Sequence, residues 1–378
     1  MKSELDLRSC LSSFAAIYGV GYLSYMLMPL QIGALIESLG LNEAEAGVIA
    51  TSELIALAVS LFVIAPKIAR YSKRQLGMVG VCLVIIGHSL SASSDSYTTL
   101  LIYRVLTGIG AGMVLAAGNA VVAASINPQR LFAVVLTVGQ LQAACLLFVM
   151  PEFTIRWGHS GAYGFLAGWT CLMLFFLTLL PGRQSHAEES HSTIISIDWK
   201  ILLLPTVLAM MLVGTSDSSL WTFQERIARS LGLEEATIGL VLGAALISGV
   251  LGAATSAVIG NRLGKGLPVA ISMSWMAMCY LLITVTKNPA IYIAAELSYL
   301  FAYGFAIPYL FGINAELDKS GGAMVAANAC NLTGNAIGPV CAGYLIVSGG
   351  YPAIGIGIAM LTLTAMLMFL MVLKKNAL

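Results

Sequence analysis

The feature that most constrains the fold is a series of long apolar runs that recur about every 31 residues. That interval fits one membrane-spanning helix of about 20 residues and a short loop. Twelve runs predict helices at about 11–34, 46–66, 76–94, 98–124, 131–150, 161–181, 201–223, 237–259, 267–286, 290–315, 322–347 and 352–373. The sequence therefore predicts an all-α membrane protein with twelve transmembrane helices.

Composition excludes a soluble domain. Charged residues make up 10% of the chain and hydrophobic residues 58%, whereas soluble domains carry about 25% charge. A net charge of +1 gives no sign of a nucleic-acid partner.

The seven cysteines show no disulfide or metal-ligand spacing, and we predict no metal and no cofactor. The polar first nine residues lead into an apolar run too long for a signal-peptide core, which predicts a retained first helix.

Basic residues predict the orientation in the membrane. With the N-terminus inside, the inner segments hold fourteen Lys and Arg and the outer loops hold four, as the positive-inside rule requires. Both termini are therefore predicted to be cytoplasmic, in a multi-pass protein of the cell (inner) membrane. The longest loop, 182–199, is polar and divides the chain into two six-helix bundles, 1–181 and 200–378.

The two bundles read as a parallel repeat with an offset of 192 residues. This offset places Arg104 on Glu296, Gly112 on Gly304, and Tyr25 on Asp217. Duplicated six-helix halves with a site at their interface are a recognised plan for transporters. We therefore expect two pseudo-symmetric bundles.

Few ionisable groups lie inside the apolar runs, and four of them share one predicted depth. Glu53, Arg104 and Glu296 each follow the outer end of their predicted helix by six or seven residues, about 10 Å at 1.5 Å per residue, and Asp217 lies a similar distance from its outer end. A charge at the bilayer centre costs about 2.5–3.5 kcal/mol on insertion scales. These side chains are therefore expected to face protein or water.

Aromatic and polar residues recur on the same helix faces as these charges. Such a stripe fits an organic solute better than a bare ion, although tyrosine stripes also occur in ordinary helix packing. The residues concerned are Tyr18, Tyr22 and Tyr25 on helix one, Asn119 on helix four, Trp221 on helix seven, and Tyr292, Tyr299 and Tyr303 on helix ten.

The chain resembles the major facilitator superfamily along its whole length. Residues 103–112, YRVLTGIGAG, are similar to the Arg-x-x-x-Gly-x-x-x-Gly signature of the fourth helix. Residues 334–343, GNAIGPVCAG, resemble the Gly-Pro pattern of the eleventh helix. Residues 257–266, AVIGNRLGKG, and their first-half copy 65–74, APKIARYSKR, resemble a cytoplasmic loop motif, with Asn261 and Ala69 where the motif has aspartate.

The resemblance implies a central cavity lined by helices one, four, seven and ten, with Arg104, Asp217 and Glu296 on its walls. Arg104 and the aromatic and polar residues named above are then the candidates for substrate binding. Burial away from water favours the uncharged form of a carboxylate, so Glu296, Asp217 and Glu53 are the candidates for proton coupling. Glu53 alternatively pairs with Arg104 and neutralises it.

The favoured function is secondary active transport of a small organic solute by alternating access, coupled to protons in symport or antiport. An organic anion or other metabolite held by Arg104 is slightly preferred. One alternative is proton-antiport efflux of amphipathic or cationic drugs, drawn by Asp217 and Glu296. Another is a membrane sensor or scaffold built on a transporter fold. Motifs of intramembrane enzymes are absent, so we predict no enzyme, and we expect a monomer whose partners are the solute, protons and lipid.

Overall fold

The computed structural model describes residues 6–182, 203–317 and 322–376, and this part of the chain is helical without strands. The described residues fall into two compact units, the first within 1–41 and 48–192 and the second within 42–47 and 193–378. The all-α prediction is confirmed. The predicted linker 182–199 lies outside the described residues, apart from Gly182.

The first unit begins with an irregular helical stretch. Asp6 caps α1 (Leu7–Phe14) by accepting from the backbone N–H of Arg8 and Ser9. A π-helical turn, Ala15–Gly21, and two helices, α2 (Leu23–Met26) and α3 (Met28–Leu39), follow it. The sequence predicted a single helix over 11–34, because hydropathy does not register a wide turn inside an apolar run. π-Helical turns are rare and often occur at functional positions.

The remaining helices of the first unit are longer and more regular. They are α4 (Glu43–Ile64), which belongs to this unit from Val48 onward and continues as a 3₁₀ turn over Ala65–Arg70, α5 (Lys73–Ala92), α6 (Tyr97–Ala123) and α7 (Pro128–Leu177). α5 packs along α6, while α7 contacts α5, α3 and the π-helical turn.

The described part of the second unit contains five further helices, and four of them pack around a shared apolar core. They are α8 (Leu203–Ser230), α9 (Glu235–Ile259), α10 (Gly266–Val285), α11 (Pro289–Leu317) and α12 (Gly322–Asn376). α12 packs against α8 and α10, and α11 packs against α9 and α10. α8 continues seven residues past its predicted end at 223, since Arg229 pairs with Glu225 one turn earlier, at 2.7 Å.

Two helices are each broken by a glycine. The backbone is non-helical at Gly158 in α7, with φ 56°, and at Gly350 in α12, with φ 70°. Positive φ strongly favours glycine, which has no Cβ to clash. The breaks occur where the sequence predicted separate helices, at 150–161 and 347–352. Each side of either break is long enough to span the bilayer core of about 30 Å.

Eight helical segments of the described chain have the length and composition to cross a membrane. Two of them are the broken helices α7 and α12. The polar run at Thr215–Ser219 lowers the hydropathy of α8, and the first helical stretch is divided into short pieces. The prediction of twelve crossings stays a prediction.

The 192-residue offset recurs in the packing inside each unit. A Cβ at Gly112 would collide with the backbone oxygen of Leu57, and a Cβ at Gly304 would collide with that of Gly249. Gly304 and Gly249 are Gly112 and Leu57 shifted by 192 positions. The repeat predicted from sequence thus has equivalent helix contacts in both units, where small residues let backbones approach closely.

Candidate functional site

Glu296 lies in the interior of the second unit. Its side chain is 0% exposed, as are those of Tyr292 one turn before it and Tyr299 one turn after it. The Tyr292 hydroxyl donates to the backbone oxygen of Gln224 at 3.1 Å, which ties α11 to α8. This tie brings the buried Gln224 amide beside the Glu296 carboxyl group, with which it interacts.

The Glu296 carboxyl group has no compensating charge in the described part of the chain. Neither carboxyl oxygen meets a hydrogen-bond donor in normal geometry, and the Gln224 amide atoms likewise lack such a bond. Buried polar groups of this kind are rare in folded proteins and call for a specific cause. The charged group that acts on Glu296 among the described residues is another acid, Asp217.

Asp217 lies in the polar run of α8 and contacts the tyrosines of α11. It is 7% exposed, and the Tyr299 hydroxyl donates a hydrogen bond to its Oδ1. Tyr303 also interacts with it. The Tyr299 ring lies 5.1 Å from the ring of Tyr280 and 6.4 Å from that of Tyr303, measured between centroids. Two acids and three tyrosines, of which Tyr303 is half-buried and the others are buried, thus form one cluster, which we call the acid–tyrosine cluster: Asp217, Tyr280, Glu296, Tyr299 and Tyr303.

Arg104 has a very different environment in the first unit. Its side chain is 1% exposed and its Nη1 lies 3.2 Å from Oε2 of Glu53, which is also buried. The structure therefore contains the Glu53–Arg104 pair that the sequence offered as an alternative. The guanidinium carbon also lies 4.4 Å from the centroid of the Tyr163 ring, a cation–π geometry.

The other guanidinium nitrogens of Arg104 are bound as well. Nη2 donates to Ser91 Oγ at 2.8 Å, to Thr107 Oγ1 at 3.0 Å and to the Gly87 oxygen at 3.3 Å, and Nε donates to Ser91 Oγ at 3.2 Å. Nη2 lies 3.2 Å from Nδ1 of His88, and Nδ1 accepts because arginine is always charged. Every nitrogen of Arg104 is thus engaged inside its own unit.

The repeat explains why one charge is paired and the other is not. Arg104 and Glu296 are equivalent under the 192-residue offset, but the position equivalent to Glu53 is Ala245. The second unit therefore has a charge at the equivalent place on its helix without the partner that the first unit supplies. Tyr280, a member of the acid–tyrosine cluster that we had not predicted, is the equivalent of His88 under the same offset. The repeat is therefore the sequence signal that could have identified Tyr280.

The remaining predicted residues lie in varied surroundings. Tyr18 is 6% exposed and its ring packs on the backbone at Gly139, so α7 holds it in place. Its ring centroid lies 5.8 Å from that of Tyr22, which is half-buried. Tyr25 is half-buried, Asn119 is exposed and Trp221 is 4% exposed.

Gln224 was not predicted, because it lies past the predicted end of helix seven. An amide at the end of an apolar run gives no periodic signal. No group of three or more His, Cys, Asp or Glu side chains in the described residues is arranged to hold a metal ion.

Sequence comparison decides the family. The model of the Major Facilitator Superfamily matches residues 11–208 and 206–377. The chain belongs to this superfamily. As a member of the Major Facilitator Superfamily it is a secondary transporter rather than an enzyme, and it is a multi-pass membrane protein. Among curated protein sequences, none matches this chain.

Solved structures of superfamily transporters share the fold. The nucleoside transporter NupG is 14% identical, with a TM-score of 0.79 over 98% of this chain and 100% of that chain. A variant of NupG gives 15% identity and a TM-score of 0.77, over 97% of this chain and 99% of that one. A bacterial homologue of the human lysosomal transporter Spinster, inward-facing and unoccupied, is 14% identical, with a TM-score of 0.72 over 99% and 98% of the two chains.

Proposed function

We propose that this transporter couples the movement of a small polar organic solute to protons, and that Glu296 and Asp217 carry the coupling proton. The observation that supports the proposal is the Glu296 carboxyl group, which is fully buried beside Asp217 with no cation near it in the described residues. An ionised carboxylate in such a place is costly. For two neighbouring acids, the free-energy cost of burial is lowest when one of them is protonated, because two buried negative charges would repel each other.

Proton transfer to and from this cluster would follow its exposure to water. When the cluster is closed off, the protonated form of Glu296 is favoured because no cation among the described residues balances its charge. When water or a polar solute reaches it, the ionised form is solvated and the proton leaves. The Tyr299 hydroxyl donates a hydrogen bond to Asp217 that favours the ionised form of this acid, and Tyr303 also interacts with Asp217. This links the proton to the conformational cycle.

The surroundings of Arg104 do not favour an organic anion as the solute. Its guanidinium is already bound to Glu53, Ser91 and their neighbours, and an anion would have to break these contacts. A neutral solute that offers a ring and hydroxyl groups fits the tyrosines and acids better. The fold neighbour NupG is a nucleoside transporter by its name, so nucleosides are the first solutes to test.

A cationic amphipathic solute is the second candidate. The Glu296 carboxyl group, which has no ion-pair partner and no hydrogen bond in normal geometry in the described residues, would together with the neighbouring Asp217 also attract a cation, which would then leave the cell in exchange for protons. The direction of solute movement under an imposed pH gradient separates the two candidates. Proton symport accumulates the solute in the compartment that the protons enter, whereas proton antiport moves the solute in the opposite direction.

The test is transport by purified protein in liposomes with an imposed proton gradient. One pH unit is worth about 1.4 kcal/mol per proton, which supports up to about tenfold accumulation of the solute. Glu296→Gln keeps the size and polarity of the side chain but cannot carry the proton. We expect it to lose gradient-driven accumulation while it keeps solute exchange in the absence of a gradient.

The matched control is Glu225→Gln on α8. Glu225 is a buried glutamate, 1% exposed, but Arg229 lies 2.7 Å from it. The same chemical change there should leave the accumulation ratio as in the wild type. Full gradient-driven accumulation by a folded Glu296→Gln variant would overturn the proposed role of Glu296.

A further inference from the structure

A polar pocket of about 350 Å³ opens at the end of the first unit where α1 begins. The positive-inside count predicts that this end is cytoplasmic. The polar side chains that line it are Asp6, Arg8, Ser9, Ser12, Lys73 and Ser125. The pocket is formed by the starts of α1 and α5, the end of α6 and the segment that follows α7.

Arg8 is held in place at this pocket by a main-chain acceptor. Its Nε donates to the backbone oxygen of Leu179 at 2.9 Å, so that the guanidinium is fixed against the segment that follows α7. Its two Nη groups have no acceptor in the described part of the chain. A guanidinium presents paired N–H groups that match the oxygens of a phosphate.

Lys73 provides a second positive charge on the same pocket. It is the first residue of α5, which is capped by Ser72, and the start of a helix adds a partial positive charge. No described residue pairs with the Lys73 ammonium group. The neighbouring N–H of Arg74 donates to the Pro181 oxygen at 3.1 Å, which fixes the start of α5 to the same segment that Arg8 contacts.

Asp6 is the acidic residue in the lining, and its carboxylate is already bound. It accepts from Arg8 N at 3.2 Å, from Ser9 N at 3.3 Å and from Ser9 Oγ at 2.9 Å. The hydrogen bond from Ser9 Oγ lowers the pKa of Asp6, so it stays ionised at neutral pH. Asp6 caps α1 and also interacts electrostatically with Arg8, but no ion pair within 4 Å joins it to Arg8 or Lys73 in the described residues. The two basic groups therefore remain available to a ligand.

We propose that this pocket binds a phosphate-bearing anion through Arg8 and Lys73. The ligand chemistry is one phosphate group with an apolar or hydroxylated attachment, which the serines and the alanines of α6 accommodate. An anionic phospholipid headgroup and a soluble phosphate compound share this chemistry. Basic pockets between helices on the cytoplasmic side are typical places for phosphate-bearing headgroups. This inference does not depend on the role proposed for Glu296.

The experiment measures the thermal stability of the full-length protein in two arms. In the first arm, nanodiscs of phosphatidylglycerol are compared with nanodiscs of phosphatidylcholine. In the second, inorganic phosphate is titrated in neutral detergent at constant ionic strength. Protection in the lipid arm alone identifies a headgroup site, and protection in the phosphate arm identifies a site for free phosphate.

The variant that tests the site is Arg8→Gln combined with Lys73→Gln. Each basic residue near an anionic surface strengthens binding about fivefold, so the double variant should bind about 25-fold more weakly and lose most of the protection. The matched control is Lys67→Gln combined with Arg70→Gln, which removes the same charge from exposed residues of the adjoining turn that do not line the pocket. The control should keep the protection.

A charge-conserving variant guards against misfolding. Arg8→Lys with Lys73→Arg keeps both charges and should retain at least half of the protection. The inference is overturned if neither phosphatidylglycerol nor inorganic phosphate protects the wild type. It is equally overturned if the two double Gln variants lose protection to the same extent, since the effect would then be one of general charge.

Discussion

The buried pair of Glu53 and Arg104 gives the sharpest prediction about stability. The two side chains are 3.2 Å apart and nearly inaccessible to water. Arg104→Gln would leave the Glu53 carboxylate buried without its cation, and breaking a buried pair in this way costs about 3–5 kcal/mol. We therefore expect the free energy of unfolding to fall by about that amount in the single variant.

Removing both charges together should cost much less than the two single changes suggest. With Glu53→Gln and Arg104→Gln combined, no charge is left buried. The remaining loss comes mainly from the weaker bonds to Ser91 and Thr107, about 1–2 kcal/mol. The coupling energy between the two positions should accordingly exceed about 2 kcal/mol.

Denaturant unfolding in detergent, followed by tryptophan fluorescence, measures these differences. If Arg104→Gln costs under about 1 kcal/mol, or if the two single effects simply add, the guanidinium is not the compensating charge that the structure indicates. Solute exchange by the double variant supplies a second readout. A folded double variant that still exchanges solute shows that Arg104 acts in structure, whereas loss of exchange would restore it as a candidate for substrate binding.

Two further predictions concern the second unit. Gly304→Ala should destabilise the protein by about 1–3 kcal/mol because the new Cβ meets the backbone of Gly249. The control is Gly312→Ala on the same helix, whose new Cβ meets nothing within 4 Å and which should raise the free energy of unfolding by up to about 1 kcal/mol. Thermal unfolding that ranks the two variants the other way contradicts the repeat packing. Tyr299→Phe removes the hydroxyl that bonds to Asp217 and should slow proton-driven transport by more in the wild type than in an Asp217→Asn background. Equal slowing in both backgrounds would show that the hydroxyl acts independently of the acid.

Helix positions and family follow from the sequence because they depend on local properties. Hydropathy over about twenty residues marks where a helix can cross lipid, and the glycine motifs mark places where helices approach closely. The 192-residue offset is visible in sequence because both units keep equivalent small residues, such as Gly112 and Gly304. Helix ends were less accurate, as in α8, where a polar extension held by Glu225 and Arg229 follows the apolar run.

The partners of the charged residues could not be assigned from the sequence. It placed Glu53 and Arg104 at similar predicted depths but left open whether the acid pairs with the arginine or carries protons. Pairing depends on how two helices are rotated about their axes, and the period of a single helix does not give that rotation. The structure also shows that Tyr18 packs against α7, which an aromatic stripe on helix one does not reveal.

The sequence by itself determined that the chain is a helical membrane protein with a repeated plan and a few ionisable groups in its apolar interior, because hydropathy, charge and spacing are properties of the chain. Only the tertiary structure decided which of these groups are balanced. The charge of Arg104 is balanced by Glu53, which lies 51 residues earlier in the chain on another helix. In the second unit the residue equivalent to Glu53 is Ala245, so Glu296 lacks such a partner. The physical reason is that the cost of a buried charge depends on the side chains that other helices bring to it.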